Sequence, residues 1–229
     1  MQPEFQVLNA GTAALSTERN KVLRNTYILL ALTMVPTVIG AMVGMSFAGI
    51  FMQHPIIASL AMLGAVIGLQ FAIVRFHDSV IGIGLLLLMT GLLGWFLGPL
   101  LNYALAMKNG MQLVSYAAVG TGAVFMGMAA IAVTTKRDFS FMGKFLFVGM
   151  IVLLVAMVAN MFLQIPALAL TISSLVIVVF SLFLLHDLSR IVTGGETNYV
   201  MATTGVYLSL FNIFANLLQL LMAFGGEKD

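Results

Sequence analysis

Asp187 is the first residue in this chain whose type and position could do chemistry. It lies in LFLLHDLSRIVTGG, an apolar run that ends at a Gly-Gly turn, with Ile191 and Val192 still to follow. A carboxylate at that depth in an apolar helix is a candidate for binding or sensing protons or a cation, or for holding a metal such as Ca²⁺. The structural alternative is a pair with Arg190, three residues on along the same helix end, or escape to solvent. Arg75, at the end of an earlier apolar run, is a second candidate partner if the two helices adjoin. His186 beside Asp187 brings an imidazole, the side chain best suited to proton exchange near neutral pH. Its bland role is a polar tip at a membrane interface.

A second constellation follows the turn. Ser209, Asn212, Asn216 and Gln219 recur at spacings of three, four and three, so they share one helical face, and Ala202 and Gly205 extend it backwards. Around them stand Val, Leu, Phe, Ile and Met. Lipid offers such a face no hydrogen bonds, so it must meet protein or water inside a bundle. It could line a polar path or glue helices together. Asn160 and Gln164, four residues apart on an earlier helix, invite the same two readings.

The elements that must position these groups are membrane spans. The chain has 229 residues, of which 61% are hydrophobic and 8% charged, with a mean hydropathy of +1.10. A soluble domain is about 25% charged, so this balance leaves no room for a sizeable domain outside the membrane. Seven runs reach the roughly 20 residues that a spanning helix needs: 26–48, 56–75, 80–101, 112–134, 143–164, 167–189 and 200–223. Residues 1–25 read as a polar tail, 26–224 as one transmembrane domain and 225–229 as a short second tail. If the N-terminus is cytoplasmic, eight of the ten Lys and Arg lie inside and only Lys108 and Lys228 outside, which places the C-terminus in the periplasm. Gly40/Gly44, Gly64/Gly68 and Gly94/Gly98 are GxxxG pairs, suited to close packing within the bundle or to a dimer face.

Several classes drop out. There is no HExxH, GxSxG or P-loop, and no acidic pair on one helix, so no enzyme is expected. Gly194-Gly195 follows no strand and precedes no Lys-Ser/Thr, so it is a turn and not a phosphate cradle. The scattered basic residues offer no nucleic-acid surface, the chain has no cysteine, and no cofactor is implied.

The chain resembles the Bax inhibitor-1 (transmembrane Bax inhibitor motif) family over essentially its whole length, and within it the proteobacterial YccA-like branch. The resemblance rests on KVLRNTY at 21–27, GPLLN at 98–102, TTKRDFSF at 134–141, MVANMFLQIPAL at 157–168, GGETNY at 194–199 and YLSLFNIF at 207–214. It implies an all-α fold in which six helices surround a central seventh. Some family members look like pH-sensitive calcium leak channels with a carboxylate on helix six and another on helix seven. Asp187 matches the first, but Ser209 stands where those relatives have the second. The YccA-like branch resembles modulators of the membrane-bound ATP-dependent protease FtsH. That implies an inner-membrane regulator whose N-terminal residues, from Met1, Gln2, Pro3, Glu4 and Phe5 onward, a protease could engage.

Overall fold

Backbone hydrogen bonds decide the architecture, because a chain this apolar must satisfy them within each spanning segment. The computed structural model describes residues 3–135 and 137–226, with side chains from Asn20 onward except at 50–52. Every regular element among them is helical: α1 (Pro3–Ser46), α2 (Ala48–Gln53), α3 (Pro55–Phe76), α4 (Val80–Leu105), α5 (Gly110–Thr135), α6 (Met142–Leu163), α7 (Pro166–Thr193) and α8 (Tyr199–Gly225). Seven of them, with the part of α1 from Asn20 to Ser46, are long and apolar enough to cross a bilayer. This is an all-α, multi-pass membrane protein. The one element that hydropathy does not announce is α2, a six-residue helix between the first two spans.

The punctuation works as the residue types require. Pro55 and Pro166 open α3 and α7 in the first turn, where the missing N–H costs nothing. Gly194, at φ 83°, ends α7 in the left-handed conformation that glycine adopts without strain. Gln164 takes the same region at φ 52° to end α6, and the Asn160 side chain accepts from the Ile165 N–H at 3.1 Å. Asn160 and Gln164 therefore close a helix. Asn198 caps α8 by accepting from the Val200 and Met201 N–H groups at 2.9 and 3.0 Å. Its Nδ2 donates to the His77 carbonyl and to Asp78 Oδ1 at 2.8 Å, tying the α3–α4 turn to the start of α8.

The last helix is central. It packs on α7, α5, α1 and α4, while α3 stands on α4 and α6 on α7. The main core surrounds it, with Ile73, Leu86, Leu184, Val206, Tyr207 and Ile213 all but fully buried. Buried Tyr207 bonds the Thr37 hydroxyl of α1 at 2.8 Å, so the middle of α8 is fixed to a neighbour by a polar contact as well as by packing.

The closest seam joins α1 to α4. A Cβ on Gly40 or Gly44 would overlap the backbone of Gly91 or Trp95, and one on Gly94 or Gly98 the backbone of Thr37 or Gly44. Two GxxxG pairs thus interlock within one chain. The third, Gly64/Gly68, has nothing within 4 Å and faces outward from α3. Apolar side chains such as Phe71, Val119, Phe141 and Phe145 cover the outside of the bundle, as a lipid-facing surface demands.

Candidate functional site

Asp187 lies on α7, near the end of the bundle where α7 turns into α8. Its side chain is 20% exposed and that of His186 11% exposed. Imidazole Nδ1 and carboxylate Oδ1 are 3.0 Å apart. The His186 ring in turn rests against Gly143 in the first turn of α6, where a Cβ would sit 3.0 Å from Nε2. The carboxylate reaches toward α8: a Cβ on Gly205 would overlap Asp187 Oδ2. Only a glycine at that position lets the carboxylate approach the α8 backbone so closely.

Arg190 does not pair with Asp187, as its spacing suggested. Its guanidinium turns to Glu196 at 3.2 Å and to the Gly195 carbonyl at 3.2 Å. The reason is the turn. The Gly195 and Glu196 N–H groups both donate back to the Arg190 carbonyl, at 2.8 and 3.1 Å, which folds Glu196 over the helix end. Glu196 also accepts from the Asn198 N–H at 3.0 Å. Arg75 makes no ion pair with Asp187 either; among the described residues the side chain bonded to Asp187 is His186. Sequence reading quoted Glu196 within GGETNY without singling it out. An acid directly after a Gly-Gly turn and near an arginine was the available signal.

Asp138 approaches from the α5–α6 connection. It accepts from the Ser140 N–H at 2.8 Å. The bonds from Ser140, and then the charges of His186 and Arg190, hold its carboxyl below the ordinary 3.8.

Of these groups Asp187, Arg190 and Glu196 bound a cavity of about 270 Å³, with Gln70, Gly205 and Ser209 among its other walls. Ser209, 2% exposed, is its deepest polar residue along α8. The rest of the stripe is elsewhere. Asn212, Asn216 and Gln219 line a second cavity of about 660 Å³ toward the opposite end of the bundle. The two cavities share no lining residue. The polar face of α8 is enclosed, as its composition required, yet it is divided between Ser209 and Asn212. Nor do the amides glue helices together as a set: Asn212 and Asn216 donate to the Leu208 and Asn212 carbonyls of their own helix, and only Gln219 reaches across, accepting from Ser173 of α7 at 3.2 Å.

Calcium takes six to eight oxygen ligands, usually with several carboxylates. Among the described residues no three His, Asp or Glu side chains gather as a metal-holding group. Of the two acids in the first cavity, Glu196 is already held by Arg190 and Asn198. Asp187 is left as a lone carboxylate beside an imidazole. Of the N-terminal residues considered for protease engagement, Met1 and Gln2 lie outside the described residues, and Pro3, Glu4 and Phe5 are described only as backbone of α1.

Seven spanning helices agree with comparison by sequence, which finds membrane proteins. The model of the family described as inhibitor of apoptosis-promoting Bax1 matches residues 19–226. The chain belongs to the Bax inhibitor-1 family. It is 45% identical to an uncharacterised membrane protein of Vibrio cholerae, over 89% of this chain and 90% of that one. It is 41% identical, over 92% of both chains, to the Escherichia coli modulator of FtsH protease YccA. An uncharacterised Pseudomonas aeruginosa protein is 37% identical over 99% of this chain and 100% of its own. The matched region takes in all seven spans.

Proposed function

We propose that this protein is a non-enzymatic, inner-membrane modulator of an FtsH-type ATP-dependent membrane protease, acting as its inhibitor and poorly degraded substrate. The observation that carries this reading is the 41% identity, over 92% of both chains, to the E. coli protein named as modulator of FtsH protease. The distribution of charge supports an N-terminus in the cytoplasm and a C-terminus in the periplasm: Lys21, Arg24, Arg75, Arg137, Lys144 and Arg190 would then lie at cytoplasmic ends. That orientation puts the N-terminal residues within reach of a cytoplasmic protease ring.

The fold supplies a mechanism. A protease that grips the N-terminus must pull α1 from the bundle. The glycine seam locks α1 against α4 with backbone on backbone, and Thr37 ties it to Tyr207 of α8. Extraction would expose polar backbone and break packing along a whole span, so the protease is held on a substrate that yields slowly. The test is degradation of a membrane substrate by an FtsH-type protease in proteoliposomes, with and without this protein. Full-length protein should slow degradation, and a chain lacking residues 2–20 should not. Equal inhibition by both chains would sink the mechanism.

An ion-leak reading, with Asp187 as gate and Ca²⁺ as the conducted or sensed ion, has less support. The cavities at the two ends share no lining residue, and Ser209 supplies no second carboxylate.

A further inference from the structure

The second cavity has a composition of its own. It is bounded by α3, α4, α6, α7 and α8, and no Asp, Glu, Lys, Arg or His lines it. Its volume of about 660 Å³ lies within the range of small-molecule sites, about 300–1,000 Å³. Phe96, Leu100, Met157, Met161, Ile172 and Phe211 give it apolar walls. Flexible Met side chains suit such walls to an occupant without a rigid shape.

The polar groups in it are specific in what they offer. Asn212 and Asn216 each give one of their two amide N–H groups to a carbonyl of α8, at 2.8 and 2.9 Å. Their side-chain oxygens are left to accept. Gln219 accepts from Ser173 through Oε1, which leaves its N–H₂ to donate. Tyr103 and Ser59 add hydroxyls at the rim. Acceptors and donors side by side suit a hydroxyl, which does both. The absence of any cationic side chain disfavours a phosphate, which needs charge-assisted partners.

The cavity also has a side entrance. α3 packs on α2 and α4, and α6 on α7; the two share no comparable interface although both line the cavity. A gap between two spanning helices that do not pack on each other would face the acyl chains of a bilayer. The polar groups run from the helix ends inward: Tyr103 lies two residues from the end of α4, Ser59 four from the start of α3 and Gln219 six from the end of α8, near the level of a lipid headgroup, while Asn216 lies deeper and Asn212 at the middle of α8.

We propose that this cavity binds a neutral, hydroxyl-bearing lipid of the acylglycerol class, which enters between α3 and α6 and places its glycerol hydroxyls on Asn216 and Gln219, with its acyl chain running past Asn212 toward the middle of the bundle. The proposal is independent of the protease reading.

The probe is a photoactivatable monoacylglycerol added to the full-length protein in phosphatidylcholine nanodiscs, with cross-links located by mass spectrometry. Labelling should concentrate around Met157, Met161 and Phe211. Unlabelled monoacylglycerol should compete, and phosphatidylglycerol should not. Asn216→Leu with Gln219→Leu should cut labelling there roughly tenfold, the effect expected for losing two hydrogen bonds. Because these substitutions touch the central helix, Ala169→Phe provides a second variant: it fills the cavity from α7 and keeps the amides. Labelling spread evenly over the outer faces of α1 and α5, labelling unchanged in both variants, or competition by phosphatidylglycerol as strong as by acylglycerol would each overturn the proposal.

Discussion

The Asp187 carboxylate occupies the space that a side chain on Gly205 would need. This contact joins the α7 end to the central helix and sets where the Asp187 carboxylate points in the first cavity. The atom in the way is the tip of a flexible side chain, not backbone. A methyl group at 205 should therefore move the carboxylate without prising the helices apart. Gly205→Ala should alter stability by no more than about 1 kcal/mol, the scale of an ordinary substitution. It should nevertheless reproduce whatever Asp187→Asn does in the protease assay. Thermal unfolding in detergent beside the protease assay checks both halves. A large loss of stability would mean that Asp187 cannot yield.

The glycine seam gives the opposite expectation. At Gly44 and Gly98 the colliding atoms are backbone, so α1 and α4 must separate to admit a methyl. Gly44→Ala and Gly98→Ala should each lose about 1–3 kcal/mol or more through overpacking. Gly64→Ala, with nothing within 4 Å, should stay within about 0.5 kcal/mol of the parent. Unfolding of the three variants under one condition compares them directly. If resistance to extraction underlies protease inhibition, the first two should also be degraded faster.

At the α7–α8 turn, two polar devices differ in weight. The Arg190–Glu196 pair is 36% exposed on the arginine side, and such pairs contribute roughly 0–1 kcal/mol. Asn198 caps a helix and also ties down the α3–α4 turn through His77 and Asp78. Asn198→Ala should lose about 1–2 kcal/mol, the range for a removed cap. Glu196→Gln should lose less. The reverse order would show that the ion pair, not the cap, holds the turn.

Asp138 sets a limit on pH effects. Its carboxyl is held below 3.8 by Ser140 first and then by His186 and Arg190. A depressed carboxylate stabilises the fold above its unfolded value, and that contribution is lost as pH falls through the folded one. Between pH 6 and 8 the group stays charged in both states. Below the unfolded value of 3.8, Asp138→Asn should remove part of the stability that the parent loses on acidification. Equal loss in both proteins, measured by thermal unfolding, would show that the folded carboxyl is not held down.

Much of this arrangement is legible in the sequence because lipid imposes few choices. Seven long apolar runs, Pro55, Pro166 and Gly194 fix the spans and their breaks, and the stripe from Ser209 to Gln219 requires an enclosed last helix. The short α2 escapes, since six residues leave no period to read. The ionic pairs escape for a geometric reason. Spacing favours Arg190 for Asp187, because residues one apart on a helix do not face each other. The left-handed turn at Gly194 overrides this by delivering Glu196 to Arg190, and the Asp187 side chain bends back to His186. Division of the stripe into two cavities depends on what α3, α6 and α7 place opposite it, which no pattern within α8 contains.

Ser209 offers the sharpest probe of what the first cavity lacks. It lies one helical turn beyond Gly205 on the same face, lines the cavity with Asp187 and is 2% exposed. Calcium needs several hard oxygen ligands, and here the free carboxylates number one. Ser209→Asp would set a second carboxylate across the same space, and like charges in one enclosed site repel unless a proton or a cation joins them. The substituted protein should therefore be less stable than the parent in a calcium-free buffer and should regain stability when calcium is added. The parent should show no such response. Thermal unfolding with calcium, with magnesium and with chelator separates a site for calcium from simple screening by salt. A variant that calcium leaves untouched would mean that Asp187 and position 209 do not face one ion, and that the first cavity is shaped for packing around the α7–α8 turn alone.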